Sequence, residues 1–241
     1  MTNNFADDTN SLASSVSLLL VFRYVQNHLN SLYDYYQRWK TRVNASKTKA
    51  VIFSRRRIPS RLPSLTYGGQ VVEVVQEVKV LGVKLSGRLN FCFQVNHVLD
   101  CARLARRRLW RFLSPRSQLP TVNRISMYIL FLRSLVTYNA PVWSFLSSSD
   151  QRRLESFQCQ SLRMILGLRP DPVSFHQVSN AALLESVNLP RLRDFVRSIS
   201  MRLFTSLNGH DNPLIQRLAD FTHDESVLRR LKSPFHILFE E

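Results

Sequence analysis

The sequence is poor in cysteine, in acidic side chains and in long apolar runs. Its three cysteines are an odd number without close spacing, which excludes a disulfide framework and a cysteine-based zinc site. Its unbroken apolar runs, such as residues 18–22, are far shorter than the roughly 20 residues that span a bilayer. The start, with Asp7 and Asp8, lacks the basic-then-apolar pattern of a secretory signal. We therefore expect an intracellular protein, nuclear or cytoplasmic, without a membrane span.

Basic residues are abundant by contrast. The chain has 241 residues, with 33 Lys and Arg against 17 Asp and Glu, for a formal charge of +16. Arginine accounts for 27 of the basic residues, and a guanidinium group binds phosphate oxygens better than an ammonium group does. The composition predicts a polyanionic partner, with a merely solvated basic surface as the alternative. At 44% hydrophobic residues, the chain can build one large core or two small ones.

Apolar periodicity predicts several helices. Between Leu18 and Trp39 apolar residues recur at alternating spacings of four and three, which predicts a long amphipathic helix over residues 14–40. Beyond residue 90 the same spacing predicts a mainly helical region, with prolines between the helices. One such predicted buried stripe consists of Val122, Ile125, Ile129, Leu132 and Val136.

A small sheet is predicted between the long helix and the helical region. Residues 65–67 and 70–75 read as an antiparallel hairpin, because Gly68-Gly69 can supply the two positive φ angles of a tight turn. Residues 78–85 are predicted to form a further strand. The predicted fold class is α+β, a helix with a small antiparallel sheet followed by a mainly α-helical region.

The pair Asp7-Asp8, preceded by Phe5-Ala6, is the sharpest candidate for chemistry. Two adjacent carboxylates at a tight strand-turn-strand can hold a divalent cation if another carboxylate joins them. Followed by Thr and Asn, the same residues are also typical of a helix N-cap or a simple turn. Both interpretations remain open at this point.

A basic stripe is the second candidate. Arg103, Arg107 and Arg111 repeat at four-residue intervals, with Arg106 beside them. Like charges at this spacing cost a helix a few tenths of a kcal/mol per pair, and contacts to a row of phosphates would offset that cost. The stripe predicts nucleic-acid binding, and a solvated face is the alternative.

Several short motifs, in order, resemble the reverse transcriptase of non-LTR (LINE-type, jockey-like) retrotransposons, from the second half of the palm onward. By this resemblance, residues 1–88 are a partial palm, 89–145 a helical thumb-like region and 146–241 a helical C-terminal region. The motifs are residues 5–8, the helix ending at Trp39, and residues 43–54, 78–83, 138–143, 154–167 and 212–215.

The resemblance also implies residue roles. Asp7 and Asp8 match the aspartate pair of the polymerase metal site, which would hold Mg²⁺ in a complete polymerase. Lys47, with Lys49 in the same motif, matches a position near the incoming nucleotide, and Gly82 lies in the match to the hairpin that holds the primer end. The implied partners are an RNA template with a DNA primer, or an RNA–DNA duplex. The simpler alternatives are a surface lysine for Lys47 and a bulge for Gly82.

The sequence differs from the family in one respect. The family's first metal-binding aspartate and its fingers subdomain would precede residue 1, and this sequence has no counterpart of either. We therefore expect an RNA-directed DNA polymerase fragment that is inactive alone and retains nucleic-acid binding. One alternative is a segment of a complete, active reverse transcriptase whose true start lies upstream of Met1. Others are a repurposed helical protein-binding module and a poorly folding relic. The sequence assigns no oligomeric state.

Overall fold

The computed structural model describes residues 2–54, 56–143, 146–168, 178–207 and 209–216. The chain divides into two compact units between Leu89 and Asn90. Small sheets and one long helix build the first unit, and the described part of the second is helical, which confirms the predicted α+β class. No helix within these ranges has the length and apolar character needed to cross a membrane. Residues 217–241 of the predicted C-terminal region lie outside the described residues.

In the described residues of the first unit, the structure has one α-helix, one 3-10 helix and seven short strands. A 3-10 helix (Ala45–Lys47) precedes β3. The other elements are β1 (Thr2–Phe5), β2 (Asp8–Ser11), α1 (Leu18–Arg38), β3 (Lys49–Val51), β4 (Leu65–Tyr67), β5 (Gln70–Val75), β6 (Glu77–Val80) and β7 (Val83–Ser86).

The strands form three small sheets, and one of them is mixed. The pairs β1–β2, β4–β5 and β6–β7 are antiparallel, whereas β3 pairs with β5 in parallel. The expectation of a purely antiparallel sheet is therefore corrected. The segment between β3 and β4 is long enough to carry the chain back over the sheet, and a parallel pair requires such a crossover.

Two tight turns depend on positive φ angles. The predicted hairpin of β4 and β5 is confirmed, with φ of +56° at Gly68 and +80° at Gly69. A Cβ atom on Gly68 would lie 2.6 Å from the Tyr33 ring, so a larger residue there would collide with α1. The expected single strand over residues 78–85 is instead the β6–β7 hairpin, because the chain reverses at Leu81 (φ +46°) and Gly82 (φ +86°).

The core of the first unit lies between α1 and the β4–β5 hairpin. Phe22, Leu65, Tyr67 and Val72 are its buried centre. The apolar stripe of α1 surrounds them from one side, through Leu18, Val25, Leu29, Leu32 and Tyr33. Helix α1 is therefore the predicted amphipathic helix with shorter ends than the expected 14–40.

The second unit packs helices around α2 and α7. Val95 and Leu99 of α2 and Leu162 of α7 are fully buried. A π-helical segment (Tyr128–Arg133) joins α4 to α5. The helices are α2 (Cys92–Arg108), α3 (Trp110–Leu113), α4 (Thr121–Met127), α5 (Ser134–Val136), α6 (Ala140–Trp143), α7 (Ser148–Leu166), α8 (Asn180–Ser186), α9 (Leu192–Leu207) and α10 (Pro213–Gln216).

The predicted buried stripe of residues 122–136 is only partly correct. Leu132 and Val136 are buried, but Val122 is 72% exposed, and Tyr128 is buried in addition to the predicted set. A π-helical turn holds more residues than an α-helical turn. The π-helical segment therefore rotates the buried face relative to a constant helical repeat.

Candidate functional site

Asp7 and Asp8 lie at the tip and base of a tight hairpin. The register pairs Phe5 with Asp8, which leaves Ala6 and Asp7 as a two-residue loop. Ala6 adopts φ +51°, a left-handed conformation that costs a non-glycine residue free energy. The sequence therefore forms a strand-turn-strand at this position, as the metal-site interpretation requires, and not a helix N-cap.

Polar contacts hold this hairpin on α1. His28 Nε2 lies 2.8 Å from the Thr2 hydroxyl and 3.0 Å from the Ser11 hydroxyl, and the Thr9 hydroxyl lies 3.0 Å from the Tyr36 hydroxyl. Alternate strand residues face opposite sides, so Asp8 lies on the face opposite Thr9 and Ser11. The helix thus orients the hairpin with the Asp8 side chain away from it.

The two carboxylates do not form a metal site by themselves. Both side chains are exposed. Among the residues that the structure describes, no three His, Cys, Asp or Glu side chains are grouped so that they could hold an ion. Because Mg²⁺ requires near-octahedral oxygen coordination, Asp7 and Asp8 need at least one further carboxylate, and no catalytic step follows from these residues alone.

Lys47 and Lys49 lie on either side of the entry to β3. Lys47 ends the 3-10 helix, which Asn44 caps by accepting a hydrogen bond from the Ser46 backbone N–H at 3.1 Å. Lys49 begins β3 opposite Glu73 of β5. Both lysine side chains are exposed, and neither forms an ion pair with Asp7 or Asp8 in the described structure. Their role near a nucleotide stays a prediction.

Gly82 lies, partly buried, in the turn of the β6–β7 hairpin. Its φ of +86° follows Leu81 at +46°, so the pair forms a turn with two left-handed residues. Because this geometry identifies a tight turn, the simpler expectation of a bulge is not met. The absence of a side chain leaves the turn backbone accessible to a partner.

The arginine stripe divides into exposed and inward-facing members. Arg103, Arg107 and Arg111 are exposed, although Arg103 also bonds Asp100 at 3.0 Å. Arg111 lies in α3, because α2 ends at Arg108. A turn at Leu109 (φ −86°, ψ 4°) therefore separates Arg111 from the two arginines of α2.

Arg106 points into the second unit. Its guanidinium group lies 5.0 Å from the centre of the Phe157 ring and donates a hydrogen bond to the Ser161 hydroxyl at 3.1 Å. Burial, followed by repulsion from Arg103 and Arg107, lowers the pKa of Arg106. This side chain ties α2 to α7, so phosphate contact by Arg106 stays a prediction that its present geometry does not support.

Comparison with known proteins adds the decisive observation. Over 214 residues, 89% of the chain, the sequence is 24% identical to the RNA-directed DNA polymerase from mobile element jockey of Drosophila melanogaster. It is 27% identical over 195 residues to a probable RNA-directed DNA polymerase from transposon X-element, and 22% identical over 228 residues to that from transposon BS, both of the same species. The chain is homologous to the RNA-directed DNA polymerases of jockey-like mobile elements. The resemblance to non-LTR retrotransposon reverse transcriptases is thus confirmed.

The homology covers only part of each relative. The chain spans 22%, 20% and 24% of the lengths of the jockey, X-element and BS polymerases. No family model and no solved structure matches the chain.

Sequence patterns alone did not predict the positions of three residues at these sites. His28 and Tyr36 hold the carboxylate hairpin, and their helical positions eight residues apart on one side of α1 are the only signal in the sequence. The apolar pattern around Trp110 predicts core packing in preference to base stacking, but Trp110 is 48% exposed, because α2 ends at Arg108 and Trp110 begins a separate short helix.

Proposed function

We propose that the chain is the C-terminal palm and thumb portion of a jockey-like RNA-directed DNA polymerase and that it binds nucleic acid through the exposed arginines of α2 and α3. The names of the homologous proteins support the polymerase assignment. The observation that carries the binding proposal is the exposure of Arg103, Arg107 and Arg111 on the consecutive helices α2 and α3.

The physical case for binding rests on charge. One carboxylate, Asp100, pairs with Arg103, while Arg107 and Arg111 have no ion pair in the described structure. Neutralising phosphates with such side chains releases condensed counterions, which favours association and makes it depend on salt. The RNA template with its DNA primer, or their duplex, is the proposed partner.

The test is a triple substitution, Arg103→Gln, Arg107→Gln and Arg111→Gln, in the full chain. We expect weaker RNA binding whatever the sequence, with the slope of log affinity against log salt reduced by about 2 to 3. Fluorescence anisotropy at several salt concentrations measures this slope, and circular dichroism checks folding.

The matched control removes the same charge elsewhere. Arg23→Gln, Arg42→Gln and Arg61→Gln change exposed arginines of the first unit, and we expect a nearly unchanged slope. If the two triple variants behave alike, only net charge matters and the assignment to α2 and α3 is wrong.

The second candidate is a helical protein-binding module. Residues 117–149 contain only two charged side chains, Arg124 and Arg133, and both are buried. The surface of this stretch exposes Leu130 and Phe131 at 65% and 51%, and such an uncharged face fits an apolar protein surface. Unaltered RNA binding in the arginine variant would favour this candidate.

A further inference from the structure

Trp110 lies next to the exposed arginines in the chain. It is the first residue of α3, three residues after Arg107 of α2. Leu109, with φ −86° and ψ 4°, ends α2 and begins α3, so these residues are neighbours across a helix junction. Trp110 is 48% exposed, and Arg111 follows it directly.

Arg106 fixes the position of α2 on α7. Its cation–π contact with Phe157 and its hydrogen bond to Ser161 attach α2 to α7 directly beneath the exposed residues. A large aromatic side chain on a fixed helical surface loses little conformational freedom on binding. Trp110 is half-exposed, and exposed arginines precede and follow it in the chain at Arg107 and Arg111.

The kind of nucleic acid follows from what an indole ring can contact. In a duplex, neighbouring base pairs already cover both faces of each base, and only unstacked bases of single strands offer a free face to an aromatic side chain. Stacking tolerates any base, and adjacent basic groups hold the backbone.

We propose that the α2–α3 surface is a binding site for single-stranded nucleic acid, in which Trp110 stacks on one unpaired base and Arg107 and Arg111 contact the flanking phosphates. The inference rests on the proposed function, because the arginine stripe supplies the phosphate contacts. It adds a preference for unpaired strands over duplex.

The experiment compares a labelled oligouridine RNA with an RNA–DNA duplex of the same length, using the full chain. We expect Trp110→Leu to weaken oligouridine binding about tenfold and to change duplex binding less than twofold. Trp110→Tyr, which keeps a ring, should restore most of the oligouridine affinity. Trp39→Leu is the matched control, since Trp39 is 66% exposed in the first unit, and should change neither affinity.

Each result has a distinct meaning. Equal losses for oligouridine and duplex in Trp110→Leu, or no rescue by Trp110→Tyr, would overturn the stacking inference. Unchanged oligouridine binding in Trp110→Leu, with strong loss in the triple arginine variant, would overturn stacking and leave the proposed function intact. No loss in the triple arginine variant would overturn the proposed function itself. Quenching of Trp fluorescence by oligouridine, absent in Trp110→Leu, would support the contact directly.

Discussion

Two arginines of the second unit lie inside the protein, with 8% exposure for Arg124 and 5% for Arg133. Arg124 donates hydrogen bonds to the backbone carbonyls of Ile165 at 2.6 Å and Ser114 at 3.2 Å. Arg133 instead lies 3.5 Å from the centre of the Phe195 ring, and burial lowers its pKa. Arg124 is thus buried in a hydrogen-bonding role, and Arg133 is buried in a packing role.

This difference predicts different costs for the same substitution. Arg124→Met removes the donor to the buried Ile165 carbonyl, whereas the Ser114 carbonyl still accepts from the Ser117 N–H at 2.9 Å. The substitution should lower the free energy of unfolding by about 2 kcal/mol. Arg133→Met keeps an apolar stem against Phe195 and removes a buried charge without a carboxylate partner, so its effect should stay within about 1 kcal/mol. Urea denaturation measures both. Equal losses would contradict the assignment of hydrogen bonding to Arg124 alone.

Among the elements, β4 is an edge strand that α1 protects. The sheet order is β3-β5-β4, so one side of β4 has no strand beside it. The Gln26 side chain of α1 takes this place, since it accepts from the Thr66 N–H at 2.8 Å and donates to the Thr66 carbonyl at 2.9 Å. One amide side chain thus satisfies both backbone groups and blocks pairing with another chain.

Removing this amide tests its contribution. Gln26→Ala leaves the Thr66 backbone groups unpaired at a partly buried position and should cost about 1 to 2 kcal/mol of unfolding free energy. Gln37→Ala, at an exposed position of the same helix, is the control and should cost little. Amide hydrogen exchange at Thr66 should accelerate only in Gln26→Ala. Unchanged exchange there would show that the two hydrogen bonds are not formed in solution.

At the scale of the whole molecule, charge is unevenly distributed. Five arginines lie between residues 103 and 111, whereas the following stretch of 117–149 has no charged side chain at its surface. Residues 103–111 therefore suit a polyanionic partner, and residues 117–149 suit an apolar partner surface. The net charge of +16 does not reveal this uneven distribution.

The whole chain also decides whether a polymerase site can form. Asp7 and Asp8 lack a third metal-binding side chain among the described residues, so we expect these 241 residues alone to extend no primer with Mg²⁺ or Mn²⁺. A primer-extension assay on an RNA template measures this, with Asp7→Asn as the control for contaminating polymerase. Incorporation that disappears in Asp7→Asn would contradict the expectation and indicate a functional site within the chain.

Much of the local structure was predictable from the sequence alone. The apolar repeat of α1 and the Gly68-Gly69 turn depend on neighbouring residues, and both are present in the structure. Local spacing carries such information because helices and turns are formed by contacts within a few positions.

The burial of individual helix faces depends on the tertiary structure. Arg106 and Arg107 are adjacent in the sequence, yet Phe157 and Ser161 of a distant helix turn one inward and leave the other exposed. The parallel pairing of β3 and the rotated face of the π-helical segment likewise depend on packing partners far along the chain. The sequence determined where charge and apolar surface occur, and long-range packing determined which of those side chains a partner can reach.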